Sequence, residues 1–597
     1  MSVKQVAFLF CWSFLILQAC APEPEINYPK WEKIVLDFEG PSTHEMADEN
    51  PFTDYRLNAR FRNGDQTVTV PGFYAADGKA AESSADSGNV WRVLFSPDKT
   101  GDWTYEISFR KGKNIAVSED AEAGEALAFD GQTGKFSVFQ PEEPVSLTGQ
   151  RGRLKYIGAR YLQFQENGAY YLKGGADSPE NFLAYKEFDG TYASDTSLQF
   201  IKTYPSHIAD WKAGDPTWQN GKGKGIIGAL NYLACTCMNA IYFVTMNIEG
   251  DGRDVFPYRD HQDFTRFDVS KLAQWDIVFN HAQNLGILLH FVTQETENEL
   301  LLDNGDTGFY RKLYYRELIA RFAHHAQIQW NLGEENGPAD FTPQGQNDAQ
   351  RKAMATYLKD HDPYQNTVVI HTHAWKDYKD SILPPLLGFD KLDGLSVQID
   401  HREMVHSEML KWLRKSKETG RQWMCAMDEI GMWYTGVMPD AVNPDHDTIR
   451  QEVLWGSLMA GGAGVEWYFG YRYAHNDLNC EDWRSRENMW RQTQIALDLF
   501  EQSLPCWEMD SADELLSNEK AFCLAKEGEV YAVYLKNGSS NLNLEKVDEQ
   551  YLVQWYNPRE GGFRKSGVEI VEGGRTVNLG QAPENPEMDW AVLLTKR

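Results

Sequence analysis

From residue 153 to residue 504 the chain repeats one pattern: a short apolar run, a turn, a helical segment, then another apolar run. Eight runs fit, at 169–173, 240–246, 287–293, 328–332, 367–372, 394–397, 422–427 and 464–469. The segments between them have helical periodicity. One is 269–284, with Asp268 placed to cap its start and Gly286 just past its end; others are 309–323, 404–417 and 448–459. Runs this short and this apolar are buried on both faces, which a parallel sheet covered by helices provides. Eight such units predict a (β/α)8 barrel with long loops, in which reacting groups collect at the C-terminal ends of the strands.

Strand-rich sequence flanks the repeat. Residues 31–140 carry short alternating runs at 33–38, 66–70, 90–95 and 103–107, separated by turns such as Asp77-Gly78. That is the pattern of a β-sandwich. A polar linker at 141–152, broken by Pro141, Pro144 and Gly149, leads into the barrel. Strand signals return at 521–525, 530–535, 551–556 and 590–594. The expected architecture is multidomain: a (β/α)8 TIM barrel at 153–504, with β-sandwich domains at 31–140 and 505–597.

The first residues read as an export signal. Lys4 precedes an apolar run at 6–17, too short to span a bilayer as a mature helix. The run ends in Leu17-Gln18-Ala19-Cys20, which resembles a bacterial lipobox. That resemblance implies a signal peptide at 1–20, lipidation of Cys20 and a tether at 21–30. The body would then be lipid-anchored in the outer envelope, on its periplasmic or cell-surface side, and would meet a membrane only through that anchor. An ordinary signal peptide cleaved nearby is the alternative. The six remaining cysteines are scattered, with neither a disulfide framework nor zinc-ligand spacing, so no metal and no cofactor is expected. A net charge of −29 repels phosphate backbones, which argues against a nucleic-acid partner.

Two of the apolar runs end in acids. One reads Trp330-Asn331-Leu332-Gly333-Glu334-Glu335-Asn336, the other Met424-Cys425-Ala426-Met427-Asp428-Glu429-Ile430-Gly431. Glu335 and Glu429 are 94 residues apart, 429 minus 335. A barrel of about 250 residues gives roughly 31 to each unit, so the interval is about three units. That is the step from the fourth run to the seventh. Two carboxyl groups facing across a cleft suit glycosidic bond cleavage. One donates a proton to the leaving oxygen; with retention, the other attacks the anomeric carbon.

This arrangement resembles the retaining (β/α)8-barrel glycoside hydrolases (clan A type) of bacterial polysaccharide-utilisation systems. Their acid/base follows strand four and their nucleophile strand seven. The flanks carry the resemblance further. Gly72-Phe73-Tyr74 with Trp91-Arg92-Val93-Leu94-Phe95 is similar to the small sandwich ahead of such barrels. Gln554-Trp555-Tyr556-Asn557-Pro558 is similar to their C-terminal β-domain, sometimes labelled collagen-binding. The resemblance implies that Glu335 is the acid/base, that Glu429, in a Glu-x-Gly ending, is the nucleophile, and that Trp467 forms an aromatic floor. Where the clan has Asn before its acid this chain has Glu334, which is also the alternative acid.

Further substrate contacts are expected from polar residues just past the strands: Asn247, Asn298, His373 and Gln398, besides Glu334 and Trp467. Glu249, Gln294 and His371 are weaker candidates. The loop Glu249-Gly250-Asp251-Gly252-Arg253-Asp254 invites calcium but lacks the EF-hand register. The expected partner is a poly- or oligosaccharide, cleaved by double displacement. Two alternatives remain: a polysaccharide lyase on the same scaffold, using a His, Tyr or Lys base, and a surface glycan-binding protein with an inactive barrel.

Overall fold

The computed structural model describes residues 26–195, 200–565 and 567–597. Cys20 and the export segment lie outside them. Eight parallel strands close a barrel in sequence order: β1 (Lys173–Ala176), β2 (Ala240–Val244), β3 (Leu288–Val292), β4 (Ile328–Asn331), β5 (Thr367–His371), β6 (Gly394–Ile399), β7 (Met424–Ile430) and β8 (Gly464–Trp467). Every residue of these strands is buried, as a sheet covered by helices requires. The outer ring comprises α1 (Lys224–Cys235), α2 (Val269–Asn284), α3 (Phe309–Phe322), α4 (Asp348–His361), α5 (Lys376–Ile382), α6 (Val405–Glu418), α7 (Trp455–Met459) and α8 (Glu487–Ser503). Helix α2 keeps its expected bounds because the Asp268 side chain accepts from Lys271 N–H and Gly286 takes a positive φ of 80°.

The first strand differs from its expected position. Tyr170–Tyr171 belongs to an antiparallel sheet with Leu154–Tyr156 and Leu162–Phe164, and the barrel strand begins at Lys173. That small sheet closes the foot of the barrel. Leu154 N–H donates to Ala326 just before β4, and Tyr156 Oη donates to Gln422 just before β7. The linker contains a short helix, Leu147–Arg151, capped by Ser146.

Two flanking units brace the ring. The N-terminal one packs a sheet ordered 27–29, 133–139, 101–111, 55–63, 66–71 against a second ordered 34–44, 87–95, 73–74. Its apolar interior runs without a break into that of the barrel. It docks on α2 and α3, where Arg321 donates to the Tyr74 carbonyl. The C-terminal unit is a seven-stranded sheet beside a two-stranded ribbon, with an apolar cluster of its own. It docks through Asp589, which takes both Arg450 Nε and Nη2 at 2.9 and 2.8 Å, and through Trp455 stacked on Tyr534.

One irregularity sets up the site. Along β6 and β7 the register pairs Val397 with Met427 and then Gln398 with Glu429, leaving Asp428 as an extra residue. A bulge of this kind breaks the strict alternation of side chains. Asp428 therefore points into the barrel interior, where both its oxygens meet Lys173 Nζ at 2.9 and 3.0 Å. Glu429, its neighbour, reaches the mouth.

Candidate active site

At the C-terminal end of the strands lies a cavity of about 610 Å3. Glu334, Glu335 and Glu429 all line it, with His373 and Gln398. The turn after β4 brings the first two there. Gly333 is required by crowding, since a Cβ at that position would lie 2.7 Å from Gln294 Cγ. Glu334 N–H donates to the Gln294 carbonyl at 2.9 Å, and Glu335 adopts a left-handed φ of 44°. That conformation costs of order 1–3 kcal/mol for a residue bearing a Cβ, strain of the sort that collects at functional sites.

Gln398 Nε2 donates to Glu429 Oε1 at 2.6 Å, and His371 Nε2 stands 3.3 Å from Glu429 Oε2. The other His371 nitrogen meets Tyr242 Oη at 2.9 Å, and burial holds this imidazole down to about 4, so it is neutral at pH 7. His373 Nε2 contacts the Gly337 carbonyl at 2.8 Å, and its Nδ1 lies 3.6 Å from Glu335 Oε2.

Charge is unevenly shared. Burial, then repulsion from Glu335, pushes the Glu429 carboxyl up to about 8. Burial also works to raise Glu335, but His373 and Gln398 outweigh it and hold that carboxyl below its ordinary range. Glu334 is raised well above the carboxylate range, by burial first and then by Glu335 and Glu429. At neutral pH the resting cleft thus favours charge on Glu335 and protons on Glu334 and Glu429. That distribution is the reverse of the acid and nucleophile roles expected for Glu335 and Glu429.

Three expected contacts lie elsewhere. Asn247 is buried beneath the loop after β2; its amide nitrogen donates to the Asp251 carbonyl and its oxygen accepts from Asp254 and Val255 N–H. Asn298 likewise folds the loop after β3, accepting from Glu295 N–H and donating to the Met246 carbonyl. Trp467 points outward, its indole N–H bonded to Thr493 on α8. Its neighbour Glu466 faces inward to Lys173, so strand alternation sends Trp467 to the helices. The aromatic residue at the mouth is instead Tyr468, with Tyr471 beyond it. Within the Glu249–Asp254 loop, Asp254 is engaged by Asn181 and Asn247, while Asp251 turns to the cleft. Beyond β8, Arg484 pairs with Asp210 and Asp477 accepts from Ser178 Oγ, contacts that brace loops.

The cavity also holds residues that sequence reasoning passed over. Trp375 and Trp433 are 65 % and 66 % exposed at its rim, with Phe341 at 60 %. Trp375 follows His373 by two residues and Trp433 follows Glu429 by four, a signal available in the sequence. Nine carboxyl residues line the cavity, Glu180, Asp251, Glu295, Glu297, Asp340 and Asp400 joining the three above, and among the described lining residues there is no lysine or arginine.

The similarities to known proteins agree with this architecture. Residues 27–110 match a domain of unknown function, and residues 512–595 match a model described as "Putative collagen-binding domain of a collagenase". No curated protein matches the chain. Among solved structures, a "putative glycoside hydrolase" from Bacteroides vulgatus ATCC 8482 covers 96% of this chain and all of its own, at 14% identity and a TM-score of 0.63. The fold is the one such barrel glycoside hydrolases have. A family 5 glycoside hydrolase from the same organism covers 75% of this chain and 93% of its own, at 14% identity and a TM-score of 0.52. Another structure named a glycoside hydrolase covers 74% and 97%, at 12% identity and a TM-score of 0.52.

Proposed function

We propose that this protein is a retaining glycoside hydrolase acting on an uncharged poly- or oligosaccharide, with Glu335 and Glu429 as the reacting pair. The observation that carries the reading is their convergence on Gln398 from β4 and β7, in one cavity rimmed by open aromatic faces. Glu429, with Gln398 and His371 at its two oxygens, is the nucleophile; Glu335 protonates the leaving oxygen and then activates water. For this, one proton must sit on Glu335. The Gly337 carbonyl can only accept, so His373 Nε2 carries a hydrogen, and a neutral His373 leaves Nδ1 free to accept from a protonated Glu335. A protonated Glu335 no longer repels Glu429, which can then ionise.

The resting charge pattern favours a second reading in which the roles are exchanged. Azide separates the two. Rescue of Glu335→Ala with an activated substrate and azide should give a glycosyl azide of retained configuration, and rescue of Glu429→Ala one of inverted configuration. The opposite pairing would exchange the roles, and full activity of either variant would remove both readings. In the absence of rescue, Glu335→Ala should lower kcat by about 10²–10⁴-fold.

Nine carboxyl residues, with no lysine or arginine among the described lining residues, weigh against uronates and sulfated glycans, and with them against the lyase alternative, whose substrate is anionic. A glycan panel read by product mass and by absorbance of unsaturated sugars tests this. We also propose that the chain is lipid-anchored at Cys20, on the lipobox-like segment; palmitate label should enter the wild type and fail to enter Cys20→Ser.

A further inference from the structure

A second cluster of ligating side chains lies far from the cleft, at the seam between the N-terminal sandwich and the barrel. Asp276 on α2, with His324 and His325 after α3, brings three ligand atoms within 4.8 Å of one another. Asp276 Oδ1 is 3.2 Å from His325 Nε2 and 3.7 Å from His324 Nε2. Its Oδ2 is held on the other side, by Asn280 Nδ2 at 2.8 Å and by Lys33 Nζ of the sandwich at 3.1 Å. Outer contacts of this kind aim a carboxylate at a metal. The histidine backbone is also fixed, with Arg153 donating to the carbonyls of both residues.

His324 points to a ligand. It is buried, and neither ring nitrogen has a hydrogen-bond partner, a condition native interiors seldom leave unfilled. The other such cluster among the described residues, His290, Asp428 and Glu466, already has the Lys173 ammonium against both of its carboxylates.

We propose that Asp276, His324 and His325 bind one divalent transition-metal cation of the zinc class. Two imidazoles and a carboxylate suit such an ion, with water as fourth ligand. Asp276 also lines a cavity of about 250 Å3 between sandwich and barrel. Because Lys33 holds the same carboxylate, the ion would steady the seam between the two units.

The test uses the full chain, stripped with a chelator and titrated with Zn2+ alone. One equivalent should bind and raise the Tm, and Co2+ in its place should give the visible absorption of a tetrahedral site. His324→Gln and Asp276→Asn should abolish that equivalent, while Asn280→Ala, which keeps all three ligands, should weaken it about ten-fold. Hydrolysis of an activated glycoside should be unchanged by the chelator, which separates this site from the cleft. Failure of the folded wild type to take up one equivalent would overturn the proposal, as would undiminished binding by His324→Gln. If that variant does not fold, unchanged affinity in Asn280→Ala is the overturning result.

Discussion

Nδ1 of His373 stands beside the Glu335 carboxylate, 3.6 Å from Oε2. That contact lowers the carboxyl against the burial that raises it. In His373→Gln the lowering contact is gone, so the Glu335 carboxyl should titrate higher. The alkaline limb of kcat/KM should then move to higher pH, as a pH–rate profile would show. Glu334 answers a related question. A carboxylate there could only accept, but the raised Glu334 carboxyl is protonated and offers one donor and one acceptor, as asparagine would. Glu334→Gln should therefore retain kcat near neutral pH, within about three-fold if the hydrogen bonds are equivalent, and lose less activity than wild type as pH is raised further. Glu334, Glu335 and Glu429, which line the cavity, were legible because they end apolar runs and their spacing fits barrel units. Asn247 and Asn298 were not, since a side chain that bonds its own loop looks in sequence like one that waits for a ligand.

Strand bounds and types followed from runs of buried residues, but two features of the elements did not. The foot of the barrel took Tyr170–Tyr171 because three short strands satisfy backbone groups below β1, a tertiary pairing that periodicity does not reveal. The β7 bulge was equally hidden, because Asp428-Glu429 reads as ordinary alternation until its partner strand is known. At β8 the rule of two was available and would have exchanged Trp467 for Tyr468. The bulge has an energetic side. Lys173 is buried against Asp428 and Glu466, so Lys173→Met leaves two carboxyl groups without their cation. Breaking a buried pair in this way costs about 3–5 kcal/mol, which a shift in the denaturant midpoint would measure. On the rim, Trp433→Ala removes an open face outside the reacting pair, so KM for a polymer should rise about ten-fold, or ~1.4 kcal/mol, with kcat little changed.

Across the molecule, buried titratable groups set a narrow pH window for stability. Glu45 and Glu429 are raised to about 8, so the folded chain holds protons that the unfolded chain releases above about 4.5. Their contribution is complete below that value and is lost as pH rises through 8. His290, His324, His325 and His371 are depressed, so theirs is present above about 6.5 and is lost as pH falls. The Tm should fall as pH rises from about 7 through 8, as scanning calorimetry would show. The three-part organisation was legible in the change from alternating to helical periodicity and back. What the sequence did not disclose is that the apolar interior of the first part continues into the second, while the last part joins it through one face of its sheet and encloses a cluster of its own on the other. Phe73 and Leu94 pack against Ala320 of α3, a surface that would be bare in a chain begun at residue 152. The leading sandwich is thus no interchangeable accessory: spliced onto another barrel it would lack its mate, and a shortened chain made without it should aggregate through the uncovered flank of α3.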